Sequence, residues 1–232
     1  MALATGVEPE GRITPACLGL WSDANAAALG RVVEGIRRYS TIPLAVQLAH
    51  AGRKASSAAP WNGGQLLSAE QGGWPCVAPS ALPHADTEPA PAALDAAGLV
   101  RIREAFADAA RRAARIGLDC VELHGAHGYL LHQFLSPLAN QRTDAYGGSQ
   151  ENRLRFPLEV FDAVRAALPG GFPLGVRISA TDWVDGGWDL EQSLVLAQAL
   201  QQRGCSFIHV SSGGVSPQQK IPLGPKYQVG FA

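Results

Sequence analysis

Features that would place a protein outside the cytoplasm or in a membrane are scarce in this chain. The four cysteines are scattered, without C-x-x-C spacing, and no charged-then-apolar leader opens the sequence. No apolar run is long enough to span a bilayer, because Arg, Asp or Gly interrupts each candidate run. We therefore expect a cytoplasmic protein that does not enter a membrane.

An excess of charge of either sign is also missing. The 232 residues include 19 basic and 20 acidic side chains, so the formal net charge is −1. This balance gives no electrostatic reason to bind nucleic acid or a membrane surface. The expected partner is a small molecule, and a hydrophobic content of 47% is sufficient for a substantial core.

Apolar runs typical of strands alternate with helical patterns along the chain. The strand-like runs cover 43–49, 121–123, 174–178 and 207–210. Apolar residues recur every three or four positions over 99–116, and similar patterns cover 151–168 and 190–202. Repeated units of this length predict an α/β fold whose parallel strands are joined by right-handed crossovers.

Two histidines and a tyrosine follow one of the predicted strands closely. The apolar alternation of Val121 and Leu123 ends in glycines, and His124, His127 and Tyr129 stand at this point. Ligands of parallel α/β proteins bind at the carboxyl ends of strands. A single buried histidine often only hydrogen-bonds its surroundings, but a pair with a nearby phenol favours a site that polarises an oxygen and delivers a proton.

One segment interrupts the alternation. Residues 51–91 are rich in Gly, Pro, Ser and Ala, contain Trp61 and Trp74, and show no sustained period. Long irregular segments inside compact domains are usually functional lids or disordered excursions, and the two aromatic residues favour an ordered one. We predict a lid-like insertion over the active-site face.

Several motifs, spread over nearly the whole chain, resemble the Old Yellow Enzyme family. They are the stretch 47–54, the His124, His127 and Tyr129 cluster, and the stretch 134–153. Within the family, the bacterial branch that includes xenobiotic reductases is resembled more specifically at 12–15, 20–23 and 177–182. Several motifs in the family's order are far more specific than a lone glycine pattern. The family comprises FMN-dependent ene-reductases, so the resemblance implies a TIM (β/α)8 barrel of the FMN-linked oxidoreductase type.

The resemblance also implies a reaction and its residues. His124 and His127 would donate hydrogen bonds to the carbonyl or nitro oxygen of an activated alkene, and Tyr129 would donate a proton to the α-carbon. NADPH or NADH would be the reductant, and the choice between them stays open. A nicotinamide bound in the substrate site needs no G-x-G-x-x-G motif, and none is present.

Three residues are implied as FMN ligands: Gln47, Arg177 and Ala4. Arg177, at the tip of its strand, would lie beside N1 and O2 of the isoalloxazine, where negative charge gathers on reduction. Gln47 is expected to end its strand, and its amide suits the edge of the pyrimidine ring. Taken alone, Arg177 could equally form a buried ion pair, Gln47 could cap its strand, and Tyr129 could be a packed aromatic. A purely structural polar network is expected from Arg142, Asp144, Asn152 and Arg153.

Zinc is the first alternative. His124 and His127, with Glu122 or His132 nearby, are residue types that bind this ion. A glycine turn separates His127 from the strand that holds Glu122 and His124, and no H-E-x-x-H helix is present, so both features disfavour a zinc site.

The length of the chain raises a second alternative. A complete barrel needs about 250 residues before insertions, and the resemblance implies that the first strand and strands seven and eight are missing. We therefore predict a single partial-barrel domain over 1–232, which retains FMN weakly because the family binds the FMN phosphate with the last two strands. An inactive fragment is the corresponding functional alternative. Open sheet edges would favour self-association, including a homo-oligomer.

Overall fold

The main sheet consists of five parallel strands. The structure is a computed structural model that describes residues 4–232, and the strand order in its main sheet is β1-β2-β5-β6-β7. These strands are β1 Ala4–Gly6, β2 Ala45–Ala49, β5 Cys120–Gly125, β6 Leu174–Ser179 and β7 Phe207–Ser211. The predicted strands are confirmed, and every neighbouring pair in this sheet is parallel, as the alternation of strands and helices implied.

Five α-helices connect or flank the strands. They are α1 Asp23–Arg37, α2 Ala96–Arg115, α3 Leu130–Leu135, α4 Gln150–Ala167 and α5 Leu190–Gln202. The three predicted helices are confirmed, although α2 begins three residues before the expected start. It begins there because the Asp95 side chain accepts a hydrogen bond from the Gly98 N–H and so caps the helix.

The core lies between the helices and one face of the main sheet. Alternate strand residues point to opposite faces, and the apolar set from the strands joins the helices in one buried cluster. The strand members of this cluster are Val46, Leu48, Val121, Leu123, Leu174, Val176 and Ile178. Phe106 from α2 and Phe156 and Phe161 from α4 are fully buried against them. The opposite face of the strands is therefore free to carry polar side chains.

Residues 51–91 form short, ordered pieces. They include three 3₁₀ turns, Gly52–Lys54, Pro60–Asn62 and Ala69–Gln71, and the strand β3 (Val77–Ala78), which pairs with β4 (Ala92–Ala93). Trp74 is anchored, because its indole N–H donates to the Glu10 carbonyl at 2.9 Å and its ring lies 4.5 Å from the Arg12 guanidinium. Trp61, by contrast, is 85% exposed.

Two strands of the main sheet have a single neighbour. Within residues 4–232, β7 pairs only with β6, whereas β1 pairs with β2 and also forms one isolated parallel bridge, between Gly6 and Gly19. The main sheet is therefore open along β7, and its β1 edge is covered at Gly6. In the same part of the chain, no helix combines the length and apolar character that crossing a membrane requires.

Candidate active site

The strand face opposite the helices is polar. On this face Gln47, Glu122, Arg177 and His209 occupy β2, β5, β6 and β7, and the Cα register pairs Gln47 with Glu122 and Arg177 with both His124 and His209. The Gln47 amide donates to a Glu122 carboxylate oxygen at 2.5 Å, and His209 Nδ1 lies 3.3 Å from the other oxygen. A row of hydrogen-bonding groups therefore crosses four strands.

Two positions expected at strand tips lie further inside the strands. Gln47 is the third of the five residues of β2, and Arg177 is the fourth of the six residues of β6. Each strand continues for two residues beyond the position, through Ala49 and Ser179, and apolar alternation does not mark such ends. Ala4 is the first residue of β1 and is paired with Gln47, so all three predicted FMN ligands lie on the same sheet.

The structure brings the two imidazoles and the phenol together beyond β5. The ring centroid of His124 lies 5.1 Å from that of His127 and 4.9 Å from that of Tyr129, with nearly perpendicular ring planes in both pairs. His124 belongs to β5, whereas His127 has a left-handed backbone with φ of 58° and Tyr129 is the N-cap residue of α3. A strand, a tight turn and a helix start thus hold one ring each.

A backbone N–H selects the tautomer of His124, and a serine hydroxyl contacts the ring of His127. The Ala126 N–H donates to His124 Nδ1 at 3.3 Å, so the proton of a neutral His124 ring is on Nε2. His127 Nε2 lies 2.7 Å from the hydroxyl of Ser211, the last residue of β7. The backbone N–H of His127 donates to the hydroxyl of Ser179, the last residue of β6. When the Ser211 hydroxyl donates to Nε2, the remaining N–H of His127 is on Nδ1.

Both imidazoles are uncharged at neutral pH. Burial, together with the charges of His127 and Arg177, keeps the pKa of His124 well below its usual value. Burial also lowers the pKa of His127 to about 4, assisted by the nearby Arg177 cation. The site therefore offers neutral N–H donors to an oxygen atom. Burial raises the pKa of Tyr129, so its hydroxyl keeps its proton.

Lys54 reaches the loop that holds these rings. Its ammonium group donates to the carbonyls of His127 and Gly214, both at 2.9 Å, and lies 5.3 Å from the Tyr129 ring centroid. Burial and the neighbouring Arg53 cation lower the pKa of Lys54 to about 8. Lys54, Tyr129 and several residues of the 51–91 segment line one cavity of about 340 Å³.

A larger recess lies on the other side of Arg53. It has a volume of about 510 Å³ and is bordered by Leu82, Asp86 and Gln218 among others. Arg53 itself donates only to backbone carbonyls, those of Leu82, Pro83 and Val215. Because the recess contains none of the three clustered rings, the smaller cavity is the one next to the candidate chemistry.

The predicted structural polar network is confirmed, and it is separate from the cluster of His124, His127 and Tyr129. Arg142 pairs with Asp144 at 3.0 Å and donates to the carbonyls of Pro79 and Leu94. Asn152 donates to the Gly147 carbonyl at 3.1 Å. Arg153 donates to the Gln192 side chain at 2.8 Å. These contacts hold the loop before α4 and the start of that helix.

The zinc alternative gains no support. Among residues 4–232, no group of three or more His, Cys, Asp or Glu side chains is arranged to hold a metal ion. Glu122 points to Gln47 and His209, and His132 contacts Asp182 rather than the clustered rings.

Four residues of the site were not found from the sequence: Lys54, Glu122 as a partner of Gln47, Ser179 and Ser211. Ser179 and Ser211 each end a strand, so polar residues at the carboxyl ends of apolar runs were the available signal. Lys54 had no such signal, because its role depends on the turn Gly52–Lys54 placing it against the loop after β5.

Parallel strands with a polar site towards their carboxyl ends define an α/β protein, a class that includes the TIM barrels. The family is also defined: residues 1–217 match the model of the NADH:flavin oxidoreductase / NADH oxidase family, and the chain belongs to that family. The resemblance to flavin oxidoreductases is thereby confirmed.

Relatives of the chain carry consistent names. It is 44% identical to an NADH:flavin oxidoreductase of Gibberella zeae, over 100% of this chain and 60% of the relative. It is also 44% identical to an NADPH dehydrogenase of Bacillus pumilus, over 100% of this chain and 63% of the relative. The chain therefore spans about three fifths of the length of the curated relatives it matches.

Solved structures confirm the fold. Morphinone reductase superimposes with a TM-score of 0.77 at 33% identity, covering 97% of this chain and 61% of the other. An old yellow enzyme homologue from Zymomonas mobilis gives a TM-score of 0.74 at 28% identity, covering 94% of this chain and 62% of the other. The described residues thus form a partial TIM barrel.

Proposed function

We propose that this chain carries the substrate side of an FMN-dependent oxidoreductase that uses NAD(P)H to reduce the activated C=C bond of α,β-unsaturated carbonyl or nitro compounds. The observation that carries the proposal is the cluster of His124, His127 and Tyr129 beside a polar strand face. Relatives named NADPH dehydrogenase and NADH:flavin oxidoreductase support it, as does a solved complex of morphinone reductase with tetrahydroNAD.

The polar strand face fits the ring system of a flavin. Arg177 Nε is buried and has no hydrogen-bond partner among residues 4–232, so it is a donor available to the N1 and O2 region. Because the Gln47 amide nitrogen already donates to Glu122, its oxygen is left to accept from a ring N–H. Ala4 would add contact from the neighbouring strand. When bound, FMN supplies the hydride that it receives from NAD(P)H.

His124 and His127 would bind and polarise the substrate. Two neutral N–H donors directed at one carbonyl or nitro oxygen withdraw electron density from the β-carbon. Burial strengthens this effect, because the local dielectric is low and water competes less. Both rings are uncharged, so their N–H dipoles would stabilise the negative charge that develops on the oxygen, and no anion is needed to balance a charged imidazole.

Tyr129 would deliver the proton to the α-carbon. Its raised pKa means that the hydroxyl is protonated over the whole physiological range. Tyr129 lines the same cavity as Lys54. The 51–91 segment forms much of the wall of that cavity, which supports its role as a lid that limits access of water.

The proposal is tested by reconstitution. Purified chain is mixed with FMN, its visible spectrum is recorded, and consumption of NADPH or NADH with cyclohexenone is followed without oxygen. We expect His124→Ala and His127→Ala to lower kcat/KM by about 100-fold each, as for loss of one donor to a developing oxyanion. His124→Asn and His127→Asn, which retain an N–H donor, should recover part of the loss.

The inactive-fragment alternative makes the opposite prediction. It expects no flavin absorption after removal of free FMN and no consumption of NADPH or NADH that depends on the alkene. Bound flavin that NADPH reduces, without subsequent reduction of cyclohexenone or a nitroalkene, would disprove the proposed substrate class and leave the cofactor in place.

A further inference from the structure

Two further histidines, His50 and His132, are buried beneath the candidate site. They are 1% and 0% exposed, and neither belongs to the cluster of His124, His127 and Tyr129. Each lies between a buried carboxylate from a neighbouring loop and the N–H of a glycine with a left-handed backbone. The same arrangement therefore occurs twice, once directly after β2 and once in α3.

His132 supports the loop that carries the clustered rings. Its Nδ1 accepts the Gly128 N–H at 2.9 Å, and its Nε2 lies 2.9 Å from Asp182 Oδ1. The other oxygen of Asp182 accepts from the Ser136 hydroxyl at 2.6 Å and from the Trp188 N–H at 2.7 Å. Asp182 is fully buried, so its position is fixed on one side by β6 and its loop and on the other by His132.

His50 supports the loop that carries Lys54. Its Nδ1 accepts the Gly52 N–H at 3.0 Å, and its Nε2 lies 3.4 Å from Glu8 Oε2. Glu8 follows β1, is 7% exposed and is also paired with Arg101. The backbone carbonyl of His50 accepts the N–H of Leu130, the first residue of α3.

Gln133 joins the two arrangements. Its side-chain amide donates to the carbonyl of Ala51 at 3.1 Å and to that of Gly128 at 2.7 Å, and its oxygen accepts the Arg53 N–H at 3.3 Å. Gln133 is fully buried. The loops after β1, β2, β5 and β6 are therefore linked by side chains beneath the site.

The chemistry of imidazole fixes the state of both histidines. A ring nitrogen that accepts a backbone N–H carries no proton, so the proton of the neutral ring must be on Nε2. In both residues Nε2 faces a carboxylate oxygen, Asp182 Oδ1 at 2.9 Å from His132 and Glu8 Oε2 at 3.4 Å from His50. Among the described residues, none of these four buried atoms has a hydrogen-bond partner other than the atom it faces. The carboxylates thus favour the one tautomer that can receive the glycine N–H.

We infer that His132 and Asp182 are a positioning pair for His127 and Tyr129, and that His50 and Glu8 are the equivalent pair for Lys54. The positioning of these groups does not depend on the proposed function; only the catalytic purpose that they serve rests on it. Gly128 lies between His127 and Tyr129 in the chain, so an unheld Gly128 N–H would free both rings. His50 and His132 themselves are not among the residues that line the cavity beside Lys54 and Tyr129.

The first test reads the tautomers without any flavin. In the nitrogen-15 spectrum of the imidazole rings, His132 and His50 should both show an unprotonated Nδ1 and a protonated Nε2. A protonated Nδ1 on His132 would overturn the inference, because that ring could not accept the Gly128 N–H. This measurement uses the unmodified chain, so it does not depend on whether any variant folds.

The second test compares matched variants. His132→Asn places an amide oxygen where Nδ1 was, whereas His132→Leu removes the acceptor. We expect the Gly128 amide to exchange with solvent roughly tenfold faster in His132→Leu, as for loss of one net hydrogen bond, and near the normal rate in His132→Asn. The His127 and Tyr129 resonances should shift in the first variant and recover in the second.

The other pair supplies the control. His50→Leu should accelerate exchange at Gly52 and shift the Lys54 resonances, with a smaller effect at Gly128. Equal effects of both leucine variants on both loops would indicate general loosening of the core and would contradict separate positioning roles. Since none of these readouts requires turnover, failure of the proposed reductase activity would be recognised separately from failure of this inference.

Discussion

At the scale of single residues, the candidate site depends on neutral donors. Burial keeps His124 and His127 uncharged, while the cations Lys54 and Arg177 remain close to them. A charged imidazole here would repel both cations. Under the proposed function, an oxygen that gains negative charge during reaction would be stabilised by preorganised N–H dipoles.

Replacing Tyr129 by Phe tests the proton donor. The ring packing against His124 is preserved, and only the hydroxyl is lost. We expect the alkene-reduction rate of the FMN-loaded chain to fall by about 100-fold or more, the usual contribution of a positioned acid, while NADPH reduces the flavin at an unchanged rate. Rapid-mixing absorbance separates the two steps.

Tyr39→Phe is the matched control, because Tyr39 is 91% exposed at the surface. Its rates should equal those of the unmodified chain. If Tyr129→Phe also reduces alkenes at the normal rate, the proton comes from water and the role proposed for Tyr129 is incorrect.

Single residues also show what sequence alone could and could not specify. The spacing of His124, His127 and Tyr129 was sufficient to predict a cluster, because a strand end and one glycine turn hold all three. The contact between Lys54 and the His127 carbonyl joins residues 73 positions apart. No local pattern encodes such a contact, since it depends on the register of β2 against β5.

At the scale of elements, the helices differ in how clearly the sequence pattern predicts them. In α2 the buried residues recur with helical periodicity, so this helix could be predicted. All six residues of α3 are buried, and a helix without an exposed face has no amphipathic period. That helix was therefore missed, although it carries His132 and Gln133, which hold the loops of the site.

The turn between β5 and α3 gives an element-scale prediction. Gly128 has φ of 72°, and a Cβ at this position would lie 2.1 Å from the Gly214 carbonyl oxygen. Gly171 has a similar φ of 75°, but a Cβ there would meet nothing within 4 Å. We expect Gly171→Ala to lower the free energy of unfolding by about 1 kcal/mol, the cost of a left-handed backbone, and Gly128→Ala to lower it considerably more.

Urea unfolding followed by circular dichroism measures both variants. Similar losses of stability would mean that the loops after β5 and β7 separate easily. The close approach of Gly128 to Gly214 would then not be what holds His127 in its left-handed conformation.

At the scale of the whole molecule, the open main sheet has chemical consequences. Phe207 on the edge strand β7 is 38% exposed, and an edge strand presents unpaired backbone groups. We expect the purified chain to associate with increasing concentration, and Phe207→Lys to reduce this association. Sedimentation velocity over a range of concentrations measures it.

Val195→Lys is the control for that experiment, because Val195 is similarly exposed, at 44%, but lies on helix α5. It should leave association unchanged. Equal effects of the two lysines would show that net charge, rather than the edge strand, controls association.

Three histidines with lowered pKa values together predict how the stability of the whole chain depends on pH. Burial lowers the pKa of His84 and of His127 from 6.5 to about 4, and that of His124 well below 6.5. Between these values the unfolded chain binds protons that the folded chain does not bind. The stability contributed by these groups is therefore complete above pH 6.5 and is lost as the pH falls toward 4.

The steepness of that loss can be measured and altered. With up to three protons taken up on unfolding, the free energy of unfolding should fall by up to about 4 kcal/mol per pH unit, since each proton contributes about 1.4 kcal/mol per unit. His84→Gln removes one of the three groups without touching the clustered rings, so the slope should decrease by about one third. Urea titrations at a series of pH values give both slopes, and a stability that does not change across this range would mean that the three imidazoles are accessible to protons in the folded chain.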